Sequence, residues 1–183
     1  MNTSKAAPMF HYLDKTEERF CKFLNRASYR PYINSSFSTI SRLGNGVFWY
    51  VLILSLPLFY GLAALPIMMQ MASTGLLGVL IYKVLKNKLV RQRPFITHSN
   101  IKLGTAPLDE YSFPSGHTLH AVCFSSILIA YYPEWAVLVI PFTILIGLSR
   151  PVLGLHYPSD VIVGAFIGWS LSAVSLTLFQ FPV

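Results

Sequence analysis

The sequence contains very little charge. Only 11% of its 183 residues are Asp, Glu, Lys or Arg, whereas 54% are hydrophobic. A typical soluble domain carries about 25% charged residues, so this composition excludes an ordinary water-soluble globular protein. Charged side chains are absent from four stretches, which are residues 47–82, 111–133, 135–149 and 161–183. Since a membrane-spanning helix needs about 20 mostly apolar residues, these stretches predict a multi-pass membrane protein.

Cysteine and acidic residues are also scarce. Cys21 lies in an amphipathic setting and Cys123 in an apolar one, which favours neither a disulfide framework nor a zinc site. The 7 acidic residues form none of the usual ligand clusters, so we expect no metal and no cofactor. The 14 basic residues give a net charge of +7, and half of them lie in the first 42 positions. Beside apolar helices, this charge favours the head groups of a bilayer over nucleic acid as the partner.

The chain divides into an N-terminal interfacial segment, residues 1–30, and a single transmembrane domain, residues 31–183. The interfacial segment has the helical spacing of an amphipathic helix that lies on the membrane, although a mobile tail is the alternative. Because it has no compact apolar core after a basic start, we expect no cleaved signal peptide. The rest predicts an all-α membrane bundle of about five spanning helices. Their expected limits are residues 36–46 to 60, 67 to 86–90, 115 to 131, 135 to 149, and 158 to the C-terminus.

Five spans place the polar clusters of the chain at one membrane face. Counting helix ends, residues 86–93, 115–117, 150 and 156–160 all fall on the same side. Few polar residues fall on the opposite side. Three segments at the polar face therefore become candidates for one site.

The first segment is 86-KNKLVRQRP-94. Lys86 and Arg93 are seven residues apart, which places them on one face of a helix that is two turns long. Stacked cations repel each other near a membrane unless an anion joins them. The segment by itself is also compatible with basic side chains that snorkel towards the head groups.

The second segment is 114-PSGH-117. Ser115 is a suitable N-cap, and a capped helix leaves amide donors available to an anion. Gly116 permits close approach to the backbone, and His117 can exchange a proton near neutral pH. Taken alone, the tetrapeptide is more typical of a helix cap with an uninvolved histidine than of an active site.

The third segment is 149-SRPVLGLHYPSD-160. Arg150 offers a planar fork that suits phosphate oxygens. Asp160 follows His156 by four residues, so its carboxylate can fix one ring nitrogen and leave the other free as a nucleophile or base. An Asp in the first turn of a helix is also an ordinary partner of the helix dipole.

Together the three segments supply cations, backbone amides, two histidines and a carboxylate. Phosphoryl transfer requires neutralised equatorial oxygens, an in-line nucleophile and a protonated leaving group. The combination therefore favours phosphoryl transfer more strongly than any one segment does.

The pattern K-x6-RP, PSGH and SR-x5-H-x3-D resembles the three-part signature of the type-2 phosphatidic acid phosphatase superfamily, from residue 86 to residue 160. The resemblance implies that His156 forms a phosphohistidine, that Asp160 orients it and that His117 protonates the leaving oxygen. It also implies that water then cleaves the phosphoenzyme without a metal. The residues expected to hold the phosphoryl oxygens are Lys86, Arg93, Ser115, Gly116 and Arg150.

The expected activity is an integral-membrane lipid phosphatase acting on a phosphomonoester or pyrophosphate. Undecaprenyl pyrophosphate, phosphatidic acid and phosphatidylglycerol phosphate are the candidate substrates. One alternative is a phosphotransferase that passes the phosphoryl group to another lipid, and another is a non-enzymatic transporter or scaffold. The expected location is the plasma membrane, as in the bacterial inner membrane.

The side of the membrane is left open by the sequence. All 14 basic residues lie in the N-terminal segment or near the polar face, and the positive-inside rule would make that face cytoplasmic. Many members of the resembled family act at the outer face instead. Asp109 and Glu110 would repel a phosphate, so we expect them to be solvated or to pair with Lys102.

Overall fold

The structure is a computed structural model, and it describes residues 7–181. Within this range the chain forms helices and no strands, which confirms the predicted all-α class. The eight α-helices are α1 (Ala7–Asn25), α2 (Pro31–Leu43), α3 (Val47–Tyr60), α4 (Leu65–Lys88), α5 (Pro94–Thr97), α6 (Gly116–Tyr131), α7 (Ala136–Val152) and α8 (Pro158–Leu178).

Three segments of the described chain are long and apolar enough to cross a membrane. They are Val47–Lys88, which comprises α3 and α4, then Pro133–Val152 and Pro158–Leu178. α6 is a shorter apolar helix of 16 residues, about 24 Å long at 1.5 Å per residue. The multi-pass membrane bundle is therefore present, and the count of five spans stays a prediction.

The helix limits follow local sequence signals. Proline lacks the backbone donor needed inside a helix but suits the first helical position, and Pro158 begins α8 as predicted. Ser115 caps α6, since its hydroxyl accepts a bond from the Thr118 amide at 3.5 Å. Gly61 separates α3 from the turn that leads into α4 and adopts a positive φ of 64°, a conformation that glycine reaches without strain.

The sequence prediction missed α2, because it started the first span between residues 36 and 46 and placed no separate helix after residue 30. Residues 44–46 interrupt the helix, so the first apolar helix begins only at Val47. α2 packs along α7 and contributes Ser41, whose hydroxyl contacts the buried Arg150. A short amphipathic helix beside a span is hard to separate from the span by periodicity alone.

α6 and α8 pack against each other at very close range. α8 carries the small-residue repeat 164-GAFIG-168, which allows two membrane helices to approach closely. A Cβ on Gly168 would lie 2.2 Å from the Leu119 carbonyl oxygen, and one on Gly164 would lie 2.5 Å from the Ser115 carbonyl oxygen. This contact brings the first turn of α6 beside the first turn of α8, where Asp160 lies.

The apolar core lies between α3, α4, α6 and α7. Trp49 packs against Phe124 and Phe142, with ring centroids 5.5 and 6.0 Å apart. α1 lies outside this core, and it contacts α5 and α7 through buried side chains such as Cys21. Its position on a membrane surface and the boundary at residue 30 stay predictions, and residues 1–6 lie outside the described range.

Candidate active site

A cavity of about 720 Å³ opens where the three predicted segments meet. The structure brings six of the eight predicted site residues to its wall, and two lie behind it. Ser115 and Asp160 are fully buried and support the wall from the bundle interior. The six at the wall are Lys86, Arg93, Gly116, His117, Arg150 and His156.

Lys86 and Arg93 are joined by a carboxylate. The Lys86 ammonium donates to Asp109 Oδ1 at 2.5 Å, and the Arg93 guanidinium donates to the same oxygen at 2.6 Å. Asp109 is therefore neither simply solvated nor paired with Lys102, so the expectation was wrong for this residue, whereas Glu110 is exposed as expected. Two buried cations attract an anion strongly because burial removes their hydration, and the loop carboxylate meets this need.

Arg150 is a third buried cation at the cavity. Its side chain is 2% exposed, and one terminal nitrogen donates to the Ser41 hydroxyl at 2.5 Å. The Nε donor is buried with no hydrogen-bond partner. An unpaired donor on a buried guanidinium is costly, so this group favours an anionic ligand in the cavity.

His156 lies between the cations and the bundle interior. The terminal Nη1 of Arg93 is 3.4 Å from Nε2 of the ring, which places that nitrogen on the cation side. Burial lowers the pKa of the His156 imidazole well below its ordinary value of 6.5, and the charges of Arg93 and Arg150 lower it further. The ring therefore stays neutral at neutral pH, the form in which a ring nitrogen can attack phosphorus.

Asp160 lies behind His156 on the first turn of α8. Its Oδ2 is 3.7 Å from Nδ1 of His156, which is longer than a hydrogen bond. The carboxylate instead accepts bonds from Arg91, from the Ser112 hydroxyl and from the Tyr157 amide. The orienting role of Asp160 stays a prediction, with the carboxylate adjacent to the ring.

The start of α6 is fixed by backbone contacts to α8. The Ser115 amide donates to the carbonyl oxygen of Asp160 at 3.1 Å, and the Ser115 hydroxyl lies 3.0 Å from that of Thr118. The hydroxyl is therefore used in the helix cap. Gly116 lies at the cavity wall, and its missing side chain leaves the helix N-terminus open to an anion.

His117 contacts Asn45, a residue that the sequence analysis did not single out. Nε2 of the ring is in hydrogen-bonding contact with the Asn45 side-chain oxygen, and both residues line the cavity. Asn45 lies in the turn between α2 and α3, far from the signature segments in sequence. Only the folded chain brings it to the histidine.

The sequence analysis also missed Arg91 as a partner of Asp160. Arg91 is 1% exposed, and no acidic residue is close to it in sequence. The lack of a nearby acidic residue is the one sequence signal for this pair. If such an arginine is buried, its carboxylate partner must come from a distant part of the chain.

An apolar groove continues from the cations into the bundle. Its wall extends along α4 from Lys86 to Ala72, which is about 21 Å at 1.5 Å per residue. The facing wall consists of aromatic and aliphatic side chains of α3, together with Phe124 of α6. The α3 residues are Trp49, Tyr50, Ile53 and Leu54.

His120 lies beside this groove and connects two helices. Its Nδ1 is 2.8 Å from the Gly116 carbonyl oxygen, and its Nε2 is 3.1 Å from the Gly75 carbonyl oxygen on α4. Both ring nitrogens therefore contact backbone rather than the cations. Among the side chains that the structure describes, no three His, Cys, Asp or Glu residues are grouped closely enough to hold a metal ion. Metal independence stays a prediction.

A family comparison connects this geometry with known proteins. The model of the PAP2 superfamily matches residues 63–182, which include every part of the cavity wall except the turn at residues 44–46 and α3. The chain belongs to the PAP2 superfamily. This membership agrees with the resemblance that the three sequence segments indicated.

Curated relatives of this PAP2 chain carry several phosphatase names. It is 34% identical to the lipid A 1-phosphatase of Rhizobium etli over 102 residues, which is 53% of this chain and 44% of that protein. It is 32% identical to the undecaprenyl-diphosphatase of Sulfolobus acidocaldarius, over 56% of this chain and 50% of that protein. The chain thus spans about half, or less, of these relatives. Phosphatidylglycerophosphatase B of Bacillus subtilis matches more fully, at 30% identity over 76% of this chain and 71% of that protein.

Two solved structures share the fold of this PAP2 chain. LpxE of Aquifex aeolicus superposes with a TM-score of 0.73 and 28% identity, over 87% of this chain and 93% of that one. A PAP2-type phosphatidylglycerolphosphate phosphatase from Bacillus subtilis superposes with a TM-score of 0.63, over 94% of this chain and 93% of that one. At 22% identity, the second comparison concerns the fold alone.

Proposed function

We propose that this protein is an integral-membrane phosphatase that removes a phosphoryl group from a lipid through a phosphohistidine at His156. The observation that carries the proposal is a cavity in which three buried cations, the rings of His117 and His156, and an apolar groove meet. The relatives support the same reaction class, because each is named as a phosphatase of a lipid or a prenyl pyrophosphate.

The reaction starts with the phosphoryl group at the cations. Lys86, Arg93 and Arg150 neutralise the equatorial oxygens, and the amide end of α6 at Gly116 adds a further positive potential. The phosphoryl group replaces Asp109 between Lys86 and Arg93. This arrangement stabilises charge that develops in the transition state.

His156 then attacks phosphorus through Nε2, the nitrogen on the side of Arg93. The bond from phosphorus to the leaving oxygen breaks, and His117 donates a proton to that oxygen. A water molecule next attacks the phosphohistidine, giving up its proton to His117, and inorganic phosphate leaves with His156 restored. Asp160, behind Nδ1, stabilises the positive charge that forms on the ring.

The substrate carries a long apolar chain. The hydrocarbon core of a bilayer is about 30 Å thick, so a groove of about 21 Å accommodates a chain that crosses one leaflet. The Tyr82 and Lys83 side chains at the groove entrance suit the head-group level. Undecaprenyl pyrophosphate, phosphatidic acid and phosphatidylglycerol phosphate all have this form. The similarity to phosphatidylglycerophosphatase B of Bacillus subtilis supports a bacterial plasma membrane as the location.

The decisive experiment is phosphate release by the purified protein from these three lipids. We expect release from at least one of them, and its loss in His156→Ala with insertion into the membrane unchanged. Full activity in that variant would rule out the phosphohistidine. Product analysis with an added acceptor lipid distinguishes hydrolysis from phosphotransfer, because transfer would produce a phosphorylated acceptor in place of inorganic phosphate.

A further inference from the structure

Arg91 is buried but lies outside the cavity. Its side chain is 1% exposed, and it is absent from the cavity wall, so it is not placed to contact a phosphoryl group. The guanidinium group lies over the Tyr157 ring, with its central carbon 4.0 Å from the ring centroid. A buried arginine that contacts no ligand must be held by carboxylates, and the partners of Arg91 come from two distant parts of the chain.

The Arg91 fork joins the reacting centre to the N-terminal helix. Its Nη1 donates to Oδ1 of Asp160 at 2.5 Å, on the far side of that carboxylate from His156. Its Nε donates to Asp14 at 2.9 Å and its Nη2 to Glu17 at 2.7 Å, and both acids lie on α1. The planar fork is therefore fixed on three sides, which sets the direction of the Asp160 bond.

Glu17 makes a second connection to the same place. One of its oxygens accepts the Ser159 amide and the other accepts the Ser159 hydroxyl, both at 2.7 Å. Ser159 is in the first turn of α8, where backbone amides have no partner within the helix and a carboxylate is favourable. α1 therefore stabilises the start of the helix that carries Asp160.

The backbone of Arg91 completes the arrangement. Its carbonyl oxygen accepts the Ser112 amide at 2.9 Å, and the Ser112 hydroxyl in turn bonds to Oδ2 of Asp160. Arg91 thus acts on one carboxylate oxygen through its side chain and on the other through Ser112. Because Asp160 makes no direct hydrogen bond to His156, its distance from the ring depends on these supports.

We propose that Arg91 is a positioning residue for His156 and Asp160, and that Glu17 of α1 holds Arg91 and the first turn of α8 in place. The N-terminal helix then helps to hold the catalytic residues in position. This inference rests on the proposed phosphatase function.

The test compares two neighbouring acids on α1. Glu17→Gln loses the charge that faces Arg91, whereas Glu18→Gln loses a charge that pairs with Lys22 of the same helix. For Glu17→Gln we expect kcat on the best lipid substrate to fall about tenfold, or about 1.4 kcal/mol in barrier, with KM unchanged. For Glu18→Gln we expect wild-type kcat and KM. A raised KM with normal kcat in Glu17→Gln would overturn the proposal, and so would equal effects in the two variants.

Arg91 itself is tested with Arg91→Lys, which keeps the charge but cannot reach three carboxylates at once. We expect its kcat to fall further than that of Glu17→Gln, again at constant KM. If the variant does not fold, as judged by size-exclusion and thermal unfolding in detergent, the double variant Asp14→Asn with Glu17→Gln takes its place. Normal kcat in the variant that folds would contradict the proposal.

A measurement that does not require enzymatic turnover tests this inference independently of the proposed function on which it rests. Nitrogen NMR of protein labelled at its histidines reports the tautomer and the titration of the His156 ring. The His156 resonances are assigned by comparison with the His156→Gln variant. We expect Glu17→Gln to shift the His156 ring resonances and Glu18→Gln to leave them unchanged. If no lipid phosphate is hydrolysed, the proposed function fails while this measurement still decides the coupling. Unchanged resonances in Glu17→Gln would overturn the coupling.

Discussion

Asp109 Oδ1 lies 2.5 Å from the Lys86 ammonium, at the position between two cations that a phosphoryl oxygen takes in the proposed reaction. The same oxygen is 2.6 Å from Arg93. The loop carboxylate and the substrate phosphate therefore compete for one pair of cations. Both cations belong to the PAP2 signature, whereas Asp109 lies outside it.

Asp109→Asn is expected to tighten phosphate binding. Removing the charge weakens the competing ion pairs, so KM and the inhibition constant for inorganic phosphate or vanadate should fall by about tenfold, equivalent to about 1.4 kcal/mol. kcat should change little, because Asp109 contacts no reacting atom. The exposed neighbour Glu110 provides the control as Glu110→Gln. Weaker vanadate binding in Asp109→Asn would show that the carboxylate organises the cations instead of competing for them.

The contribution of His117 to the reaction rate is expected to be larger for a poorer leaving group. A lipid alcohol needs a proton as it departs, and general acids contribute about 10² to 10⁴-fold to such steps. A nitrophenolate leaves without one. His117→Gln should therefore lose most of its kcat/KM on phosphatidic acid but little of its kcat/KM on para-nitrophenyl phosphate, because kcat/KM reports formation of the phosphoenzyme and not its later hydrolysis. Equal losses on the two substrates would assign His117 to phosphate binding.

The pH profile should report His156. Its pKa is lowered by burial and by two arginines, so the ring stays unprotonated and nucleophilic below its ordinary pKa of 6.5. The acid limb of kcat/KM should then lie below pH 6.5. In Arg93→Gln the loss of positive charge raises the pKa of His156, so the limb should move to higher pH in whatever activity remains. Lys88→Gln, at the exposed end of α4, should leave the limb in place. An acid limb above pH 6.5 in the wild type would contradict a buried neutral His156.

The contact between α6 and α8 should tolerate no side chain at Gly168. Because an added Cβ meets the Leu119 carbonyl oxygen at 2.2 Å, Gly168→Ala must separate the helices or bend one of them. We expect a loss of stability on the order of 1–3 kcal/mol and a lower kcat. Gly147→Ala is the matched control, since its Cβ would meet Val161 at an ordinary 3.5 Å. Equal melting temperatures in detergent for the two variants would show that the α6–α8 contact accommodates the added methyl group without loss of stability.

The groove should select for chain length. Ala72 is at its far end, so Ala72→Phe shortens the space for a lipid chain without touching the cations. KM should rise severalfold for a long-chain phosphatidic acid and stay unchanged for a short-chain analogue. Leu77→Phe, an exposed position of α4 outside the groove, controls for added bulk. A rise in KM for both chain lengths would place the lipid chain elsewhere.

The sequence by itself determined the membrane character, the helical class and the segments that line the candidate site. These follow from local causes. Long uncharged stretches require helices in a bilayer, and Pro158 and Ser115 mark helix starts. A count of five spans predicts that the polar helix ends lie together. The spacing of His156 and Asp160 is likewise local, since it lies within one loop and the helix turn that follows.

Only the tertiary structure decided what surrounds those residues. Several contacts join side chains that lie far apart in the sequence. They are those of Asp109 with Lys86 and Arg93, of Asn45 with His117, and of Glu17 with Arg91. Each depends on how the helices pack, and no periodicity or spacing encodes that. A buried charge takes whichever partner the fold brings within reach, because leaving it unpaired costs more than any local preference can offset.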